Sequence, residues 1–182
     1  MIRFFDFVFS FIGLLILSPF LFIIFFVCLI ETGSPIFIQD RLGLNKKVFR
    51  LIKFRTMKIN TKNLATHLIS KESISSSGKY IRMLKLDELP QLINVIKGDM
   101  SLVGPRPNLK NQNELILERE KLNIYDIRPG ITGLAQINKI DMSKPYLLAK
   151  TDFKMKSNFT ASKYFMYILS TIINKNIFHL YP

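Results

Sequence analysis

The longest apolar stretch of the chain lies near its N-terminus, where residues 7–30 carry no charge and are mostly Phe, Ile, Leu and Val. A straight helix of that length spans roughly 36 Å, enough to cross the hydrocarbon core of a bilayer. Ser18-Pro19 falls at the midpoint, where the proline removes one helical hydrogen-bond donor and predicts a sharp bend. The pattern allows a kinked spanning helix, which hydropathy favours, or a re-entrant helix that enters and leaves the membrane on one face.

The segment after this stretch has the two-residue alternation of short strands. Residues 35–39 and 47–55 alternate apolar and polar side chains, and residues 40–46, with a glycine and an asparagine, predict the turn of a small hairpin. Residues 58–79 are polar and rich in serine, which indicates a loop flanking at most one short helix.

Helical signals follow. Pro90 and Gly98 predict the start and end of a short helix, because a helix start does not use the N–H that proline lacks and glycine suits a helix stop. Leu89 precedes that proline and is expected outside helical geometry, which places a break just before the helix. Residues 111–124 predict a charged helix, and residues 128–133, with two glycines, a loop.

The tail contains two amphipathic stretches, residues 145–155 and 163–173. Their aromatic rings and lysines suit a membrane boundary and a protein core equally well. Together these elements predict an α/β protein that is mostly helical with a small β-hairpin.

The distribution of charge predicts how the protein is oriented at the membrane. The net charge is +13, and cations crowd the segment directly after the apolar stretch: Arg41, Lys46, Lys47, Arg50, Lys53, Arg55 and Lys58. Such an excess predicts that the body lies on the cytoplasmic face and adheres to anionic lipid. Cys28 is the single cysteine, so an intramolecular disulfide framework is excluded, and its position indicates an apolar filler.

The candidate chemistry centres on Asp87-Glu88, at the break before Pro90. Acidic residues at a helix start are usually caps or dipole partners. Here they occur in a chain with cations in strand or turn contexts, namely Lys53, Arg55, Arg82, Arg106 and Arg128. Two carboxylates that could hold Mg²⁺, surrounded by cations, suit a pyrophosphate, and an aspartate can attack phosphorus directly.

The segment Pro105-Arg106-Pro107 is conformationally stiff, because two proline rings fix the backbone on either side of one arginine. It is interpreted either as a structural turn or as a preorganised ligand contact, for which rigidity lowers the entropic cost of binding.

Six motifs in order resemble one known family over almost the whole chain: Ser18-Pro19, Gln39-x-Arg41-x-Gly43, Lys53-Phe-Arg-Thr-Met57, Leu86-Asp-Glu-Leu-Pro-Gln91, Gly98-Asp-Met-Ser-Leu-Val-Gly-Pro-Arg-Pro107 and Arg128-Pro-Gly-Ile-Thr-Gly-x-Ala-Gln136. The family is that of the bacterial sugar transferases, specifically the small monotopic phosphoglycosyl transferases. The resemblance implies that Ser18-Pro19 bends a re-entrant helix, against the preference of hydropathy.

The resemblance also implies a mechanism. Asp87 would attack the sugar-bearing phosphate of a UDP-sugar and release UMP, with Glu88 completing the dyad and Mg²⁺ assisting. The phospho-sugar would then pass to undecaprenyl phosphate, as the first membrane step of glycoconjugate assembly. Lys53, Arg82 and Arg106 would surround the phosphates and the nucleotide. The chain departs from the family pattern at Lys139, where an arginine is usual, which puts one phosphate or substrate contact in doubt.

We therefore expect a re-entrant membrane helix in residues 1–32 and a catalytic domain with interfacial C-terminal helices in residues 33–182, at the cytoplasmic face of a bacterial inner membrane. The expected substrate-binding residues are Lys53, Arg55, Arg82, Pro105, Arg106, Pro107, Arg128 and Lys139. Membrane lipid is an expected partner, nucleic acid is not, and a homodimer is left open. The competing hypotheses are a non-catalytic basic anchor that binds anionic lipid or nucleic acid, and a transferase that has lost activity.

Overall fold

The computed structural model describes residues 1–59 and 73–173, so most of the loop predicted in residues 58–79 lies outside the described residues. The described helices are α1 (Ile2–Thr32), α2 (Ser76–Met83), α3 (Gln91–Lys97), α4 (Asn113–Lys121), α5 (Leu134–Ile137), α6 (Pro145–Ser157) and α7 (Ala161–Ile172). The strands are β1 (Ile36–Leu42), β2 (Val48–Phe54), β3 (Ser101–Val103) and β4 (Gly130–Thr132). The protein is thus mostly helical with small sheets, as predicted.

The predicted hairpin is confirmed, with a shorter connection than expected. Strands β1 and β2 pair antiparallel from Ile36 opposite Phe54 to Leu42 opposite Val48. Residues 40–42, predicted in the turn, belong to β1, because Arg41 and Leu42 are buried there and pair with β2. The reversal begins only at Gly43 and uses left-handed backbone at Asn45, with φ 52°.

The second sheet was not predicted, since residues 128–133 were interpreted as a loop. Strand β3 pairs parallel with β4, with Ser101 opposite Gly130 and Val103 opposite Thr132. The two chains approach so closely that a Cβ on Gly130 would lie 2.0 Å from the backbone nitrogen of Gly104. Only glycine allows that approach, and it joins the Pro105-Arg106-Pro107 segment to a distant part of the chain.

Helix α1 runs through Pro19 as one element and is longer than the apolar stretch that predicted it. Pro19 cannot donate to the carbonyl of Leu15, and the Ser18 hydroxyl donates to that oxygen instead, at 2.8 Å. The proline therefore does not end the helix, and the bend and the re-entrant path stay predictions. Among the described residues, α1 alone is long and apolar enough to cross a membrane.

The first turns of α1 are tied to the body of the protein. Asp6 is buried, and its Oδ1 accepts hydrogen bonds from the Ser101 hydroxyl, the Leu102 N–H and the Tyr164 hydroxyl, each at 2.9 Å. Arg3 donates to the carbonyl of Val95 at 2.6 Å, at the C-terminal end of α3. Polar groups this well satisfied fix the beginning of α1 against β3, α3 and α7.

The last turns of α1 return to the same body. Ile24 and Cys28 are buried in a cluster with Phe54 of β2 and Ile81 of α2. Between the two attached ends the helix is open, with apolar side chains exposed at Leu15, Ile16, Phe20, Phe22 and Ile23. Both ends of this apolar helix therefore contact one folded unit.

The two tail helices bury their inner faces in the protein core. Met155 of α6 and Tyr164 and Tyr167 of α7 form one buried cluster with Val103 and Leu134. Helix α7 also exposes Leu169 and Ile172. The core-facing interpretation is thus correct for the inner faces, while the outer face of α7 remains apolar and open.

Candidate active site

The carboxylates Asp87 and Glu88 lie in a 3₁₀ turn, Leu86–Glu88, between α2 and α3. The predicted helix after them is confirmed, with Pro90 before its first residue and Gly98 as a left-handed C-cap. The prediction for Leu89 is wrong, because its φ of −58° and ψ of −35° are helical. Its N–H donates to the Leu86 carbonyl at 3.2 Å, and this bond offsets the steric preference of a residue before proline. The chain changes direction instead at Lys85, with φ 57°.

Asp87 is 7% exposed. Burial and the neighbouring carboxylate of Glu88 raise the pKa of Asp87 to about 6, while Lys53, Arg82 and Arg106 oppose that rise. A raised pKa in a carboxylate surrounded by cations means that desolvation and like charge outweigh the attraction. Such a group is ionised at neutral pH but poorly solvated, which is a condition that favours a nucleophile.

Glu88 and Arg106 form an ion pair across the site, with Arg106 Nη2 donating to Glu88 Oε1 at 2.6 Å. Burial would raise the pKa of Glu88, but Arg106 and Lys53 outweigh it and hold that pKa below its usual value. Burial also lowers the pKa of Lys53 to about 8, despite the attraction of Glu88. The predicted residues Asp87, Glu88, Lys53 and Arg106 thus form one electrostatic cluster.

Lys53, Glu88 and Arg106 of this cluster line an open cleft, whereas Asp87, Arg82 and Pro105 are not among its lining residues. Its lining residues are Arg41, Leu51, Lys53, Glu88, Gln91, Arg106, Pro107, Gly130 and Ile131. A cleft with three cations and a carboxylate at its wall is suited to a phosphate-bearing ligand.

Arg41 and Gln91 line this cleft and were not among the predicted site residues. Arg41 donates to Gln39 Oε1 from Nε at 3.1 Å and to the Pro107 carbonyl from Nη1 at 3.1 Å. Burial and the nearby Arg106 lower the pKa of Arg41 to about 10. The signal that could have found Arg41 was its place in the Gln39-x-Arg41-x-Gly43 motif.

The segment that carries Arg106 is held by hydrogen bonds from donors elsewhere in the chain. Four consecutive carbonyls accept hydrogen bonds: Pro105 from Gly130 N–H at 2.9 Å, Arg106 from Arg119 Nη1 at 2.9 Å, Pro107 from Arg41 Nη1 at 3.1 Å and Asn108 from Leu42 N–H at 3.0 Å. Pro105 and Pro107 have no N–H of their own. The turn is therefore fixed by donors from elements distant in sequence.

The other predicted cations lie in different settings. Arg82 acts on the pKa of Asp87, and its Nη1 is buried with no hydrogen-bond partner among the described residues. Arg55 donates to the carbonyl of Ser34 at 2.9 Å and lies over the ring of Phe37, 5.3 Å from its centroid.

Arg128 and Lys139 are positioned by the backbone around them. Arg128 Nε donates to the carbonyl of Gly98 at 2.9 Å. Lys139 follows α5 with φ 57°, and its N–H donates to the carbonyl of Gln136 at 3.2 Å. In the part of the chain that the structure describes, Arg55, Arg128 and Lys139 are not lining residues of the cleft.

The adjacent carboxylates of Asp87 and Glu88 suit a magnesium ion that binds together with a phosphate ligand. Within residues 1–59 and 73–173, no group of three or more His, Cys, Asp or Glu side chains could enclose a metal. Mg²⁺ commonly uses one or two carboxylates, substrate phosphates and water, so a larger set is not needed. Burial and then the like charge of Glu88 raise the pKa of Asp87, and a cation held between the two carboxylates would favour their ionised forms.

The sequence matches the family described as "Bacterial sugar transferase" over residues 1–177. An uncharacterized sugar transferase of Bacillus subtilis (strain 168) is 46% identical over 110 residues, which cover 60% of this chain and 54% of the relative. The undecaprenyl-phosphate glucose phosphotransferase of Komagataeibacter xylinus is 39% identical over 145 residues, covering 75% of this chain and 27% of the relative.

The undecaprenyl-phosphate galactose phosphotransferase of Salmonella typhimurium is 35% identical over 156 residues, covering 75% of this chain and 32% of the relative. The chain therefore spans between about a quarter and about half of the length of these relatives.

Proposed function

Because the chain belongs to the bacterial sugar transferase family, we propose that it transfers a sugar phosphate from a UDP-sugar to undecaprenyl phosphate and releases UMP. Family membership confirms the resemblance drawn from the six motifs. The named relatives from Komagataeibacter xylinus and Salmonella typhimurium act on undecaprenyl phosphate. The observation that carries the proposal is a buried Asp87, with a pKa of about 6, beside Glu88 in its ion pair with Arg106 at a cationic cleft.

The proposed reaction has two displacements at one phosphorus atom. An oxygen of Asp87 forms a bond to the sugar-bearing phosphorus, and the bond from that phosphorus to the bridging oxygen breaks, so that UMP leaves with the electron pair. A phosphate oxygen of undecaprenyl phosphate then attacks the same phosphorus. The bond to Asp87 breaks, the carboxylate is regenerated, and the sugar phosphate is joined to the lipid through a diphosphate.

The cluster around Asp87 supports these steps by charge and position. With a pKa of about 6, Asp87 is mostly ionised near neutral pH and needs no base to activate it. Lys53, with a pKa of about 8, is mostly protonated there and offers a cation to the phosphates. The side chain of Arg106 is 44% exposed, so donors that Glu88 does not use remain available to a phosphate.

The carboxylates of Asp87 and Glu88 are the proposed holders of a Mg²⁺ ion shared with the diphosphate. When bound, the ion would supply positive charge to the phosphate oxygens and lower their repulsion with the dyad. The residues of the chain keep their own roles: Asp87 attacks, Glu88 orients Arg106, and Lys53 and Arg106 bind phosphate.

Helix α1 is proposed to be re-entrant, with the body at the cytoplasmic face of the membrane. Arg3 and Asp6 at its beginning and Cys28 near its end all contact the same folded unit. A helix that spanned the bilayer would place its first turn across the membrane from the body, and the contacts of Asp6 would be lost. The exposed apolar residues lie between the attached ends, where lipid would cover them.

Trapping the covalent intermediate tests the proposed reaction. Detergent-solubilised protein is given a panel of UDP-sugars with Mg²⁺ and without undecaprenyl phosphate, and UMP release and intact mass are measured. The wild type is expected to release UMP and gain the mass of one phospho-sugar, and Asp87→Asn to gain none. Asp126→Asn is the matched control, since this carboxylate is 64% exposed and pairs with Lys156.

An adduct on any residue other than Asp87 would overturn the assigned nucleophile. Failure of the wild type to release UMP from any UDP-sugar, together with salt-sensitive binding to anionic vesicles, would favour the basic membrane anchor instead.

Labelling of one cysteine tests the path of α1. Cys28 is replaced by alanine and a single cysteine is added at the N-terminus, and intact cells are treated with an impermeant thiol reagent. The expected result is no labelling until the membrane is permeabilised. Replacing Ser18-Pro19 by Leu-Leu is expected to favour a straight spanning helix and external labelling. External labelling of the unaltered Ser18-Pro19 protein would mean that the segment spans.

A further inference from the structure

A second carboxylate–guanidinium pair lies between α4 and α6, away from the cleft. Arg119 and Asp152 are almost fully buried, with side chains 2% and 0% exposed. Asp152 Oδ2 accepts from Arg119 Nη2 at 2.7 Å and from Nε at 3.1 Å. Asp152 Oδ1 is buried with no hydrogen-bond partner among the described residues. Such pairs add little net stability, because desolvation offsets the attraction, so stability alone does not account for this one.

The remaining nitrogen of Arg119 connects this pair to the active-site turn. Arg119 Nη1 donates to the carbonyl of Arg106 and to Oδ1 of Asn108, each at 2.9 Å. The hydroxyl of Tyr125 also donates to Asn108 Oδ1, at 3.1 Å. One planar guanidinium therefore joins α6 to the backbone of the residue whose side chain pairs with Glu88.

The turn depends on such outside donors. Two of its residues, Pro105 and Pro107, have no N–H, so its peptide groups are held mainly through their carbonyls. The carbonyl of Arg106 is the one between these prolines, and it accepts a hydrogen bond from Arg119. Loss of that bond frees the central peptide plane of the turn, from which the Arg106 side chain extends.

We propose that Arg119, held in place by Asp152, is a positioning residue that fixes the direction in which Arg106 reaches Glu88 and a bound phosphate. The proposal rests on the function proposed for the site. Arg119 touches no substrate in this scheme and acts only through the backbone of Arg106. A displacement of about 1 Å at a group that binds the transferred phosphate can lower a rate by about 100-fold.

Arg119→Lys is the informative substitution, because it keeps the charge and loses the planar fork. One ammonium cannot pair with Asp152 and donate to the Arg106 carbonyl in the same geometry. The expected result is a fall in kcat/KM for the UDP-sugar of roughly 10- to 100-fold, because a misplacement of about 1 Å can lower a rate by about 100-fold. Two controls on α4 separate this from a general loss of stability. Leu115→Val opens space at a core position 1% exposed, and Glu120→Gln removes an exposed ion pair.

A double-mutant cycle shows whether Arg119 acts through Arg106. The effect of Arg119→Lys on kcat/KM is measured in the wild type and in Arg106→Ala. If Arg119 only positions Arg106, its substitution has little further effect once the Arg106 side chain is gone, about threefold or less. An equal fall in both backgrounds, or a Leu115→Val variant of equal Tm that loses as much activity, would overturn the proposal.

A measurement that needs no activity keeps this test separate from the proposed function. In protein labelled with ¹⁵N-arginine, the side-chain signal of Arg106 is identified by its loss in Arg106→Lys. We expect that signal to be well dispersed in the wild type and to move toward the free-arginine position in Arg119→Lys, while Glu120→Gln leaves it unchanged. An unmoved signal in Arg119→Lys would overturn the positioning role, even if no UDP-sugar were a substrate.

Discussion

Two carboxylate–guanidinium pairs flank the Pro105-Arg106-Pro107 turn, and they differ in what surrounds them. The shortest N–O distances are nearly equal, 2.6 Å for Arg106 and Glu88 and 2.7 Å for Arg119 and Asp152. The side chain of Arg106 is 44% exposed, whereas that of Arg119 is 2% exposed. The first pair faces a cleft and keeps donors for a ligand, while Arg119 donates through Nε, Nη1 and Nη2 inside the protein.

The aspartates of the two regions show the same contrast through their pKa values. Burial and the like charge of Glu88 raise the pKa of Asp87. Cations oppose the rise at both aspartates, but at Asp152 burial alone raises the pKa and Arg119 is the opposing charge. Neutralising Asp87 therefore removes a repulsion, and neutralising Asp152 leaves a buried guanidinium without its partner. The two aspartates therefore differ in one respect: a neighbouring carboxylate helps to raise the pKa of Asp87, and none does so for Asp152.

The largest expected effect comes from breaking the buried pair. Asp152→Ala should lower the free energy of unfolding by about 3–5 kcal/mol, because Arg119 stays buried and uncompensated. Replacing both residues by apolar ones, Arg119→Met with Asp152→Leu, should restore most of that loss while activity stays low. Denaturation in detergent and UMP release measure the two quantities. A double variant that regained full activity would show that the pair serves stability alone.

Asp87→Asn should change stability in the opposite direction. The folded pKa of about 6 lies above the ordinary 3.8, so ionising Asp87 costs the folded state on the order of 3 kcal/mol above pH 6. The cost shrinks as the pH falls below about 6 and is absent well below 3.8, where Asp87 is protonated in both the folded and the unfolded state. The Asn variant should therefore be more stable than the wild type at pH 7.5 and approach it in stability at about pH 3.

Asp126→Asn is the control for that comparison, since it makes the same substitution at a carboxylate that is 64% exposed. An Asp87→Asn variant that is less stable than the wild type at pH 7.5 would mean that the cations around Asp87 outweigh burial and Glu88.

The reactive region was largely predictable from the sequence, because its signals are local. Pro90 and Gly98 mark α3 as expected, whereas the adjacent carboxylates lie in a 3₁₀ turn and the chain changes direction before them, at Lys85. Lys53 and Arg106 contribute to the electrostatics of Asp87, and their contact with phosphate stays a prediction. The alternation that predicted the hairpin also placed the ends of its two strands to within three residues.

The supporting region was not predictable, because its contacts join distant segments through packing. Arg119 lies on a helix rich in charges, where a single arginine is normally solvated. Its burial depends on Asp152, 33 residues away. Strands β3 and β4 have three residues each, which is too short to show a hydrophobic periodicity in the sequence. The need for glycine at position 130 is visible only in the structure, where its backbone lies against that of Gly104.

The pH dependence of activity sharpens the comparison further, since Asp87 and Lys53 have pKa values of about 6 and about 8. In the proposed reaction Asp87 attacks as the carboxylate, so kcat/KM should fall about tenfold per pH unit below about 6. Lys53 must be protonated to bind phosphate, so kcat/KM should fall again above about 8. The two limbs belong to the coupled cluster as a whole. Lys53→Arg should remove the alkaline limb, because arginine stays protonated, and an alkaline limb unchanged in that variant would exclude Lys53 as its source.

The smallest expected effect on stability belongs to the pair at the cleft. Arg106→Lys should change the free energy of unfolding by less than about 1 kcal/mol, because the guanidinium is 44% exposed and solvent replaces much of what it loses. Glu120→Gln, which breaks the exposed pair with Lys46, is the matched control and should change stability as little. The activities of these two variants should differ. Glu120→Gln should keep activity, whereas Arg106→Lys should lose most of it, because an ammonium lacks the planar fork that can bind Glu88 and a phosphate together. If Arg106→Lys lost as much stability as Asp152→Ala, the two pairs would be equally structural, and the distinction between a reactive and a supporting pair would fail.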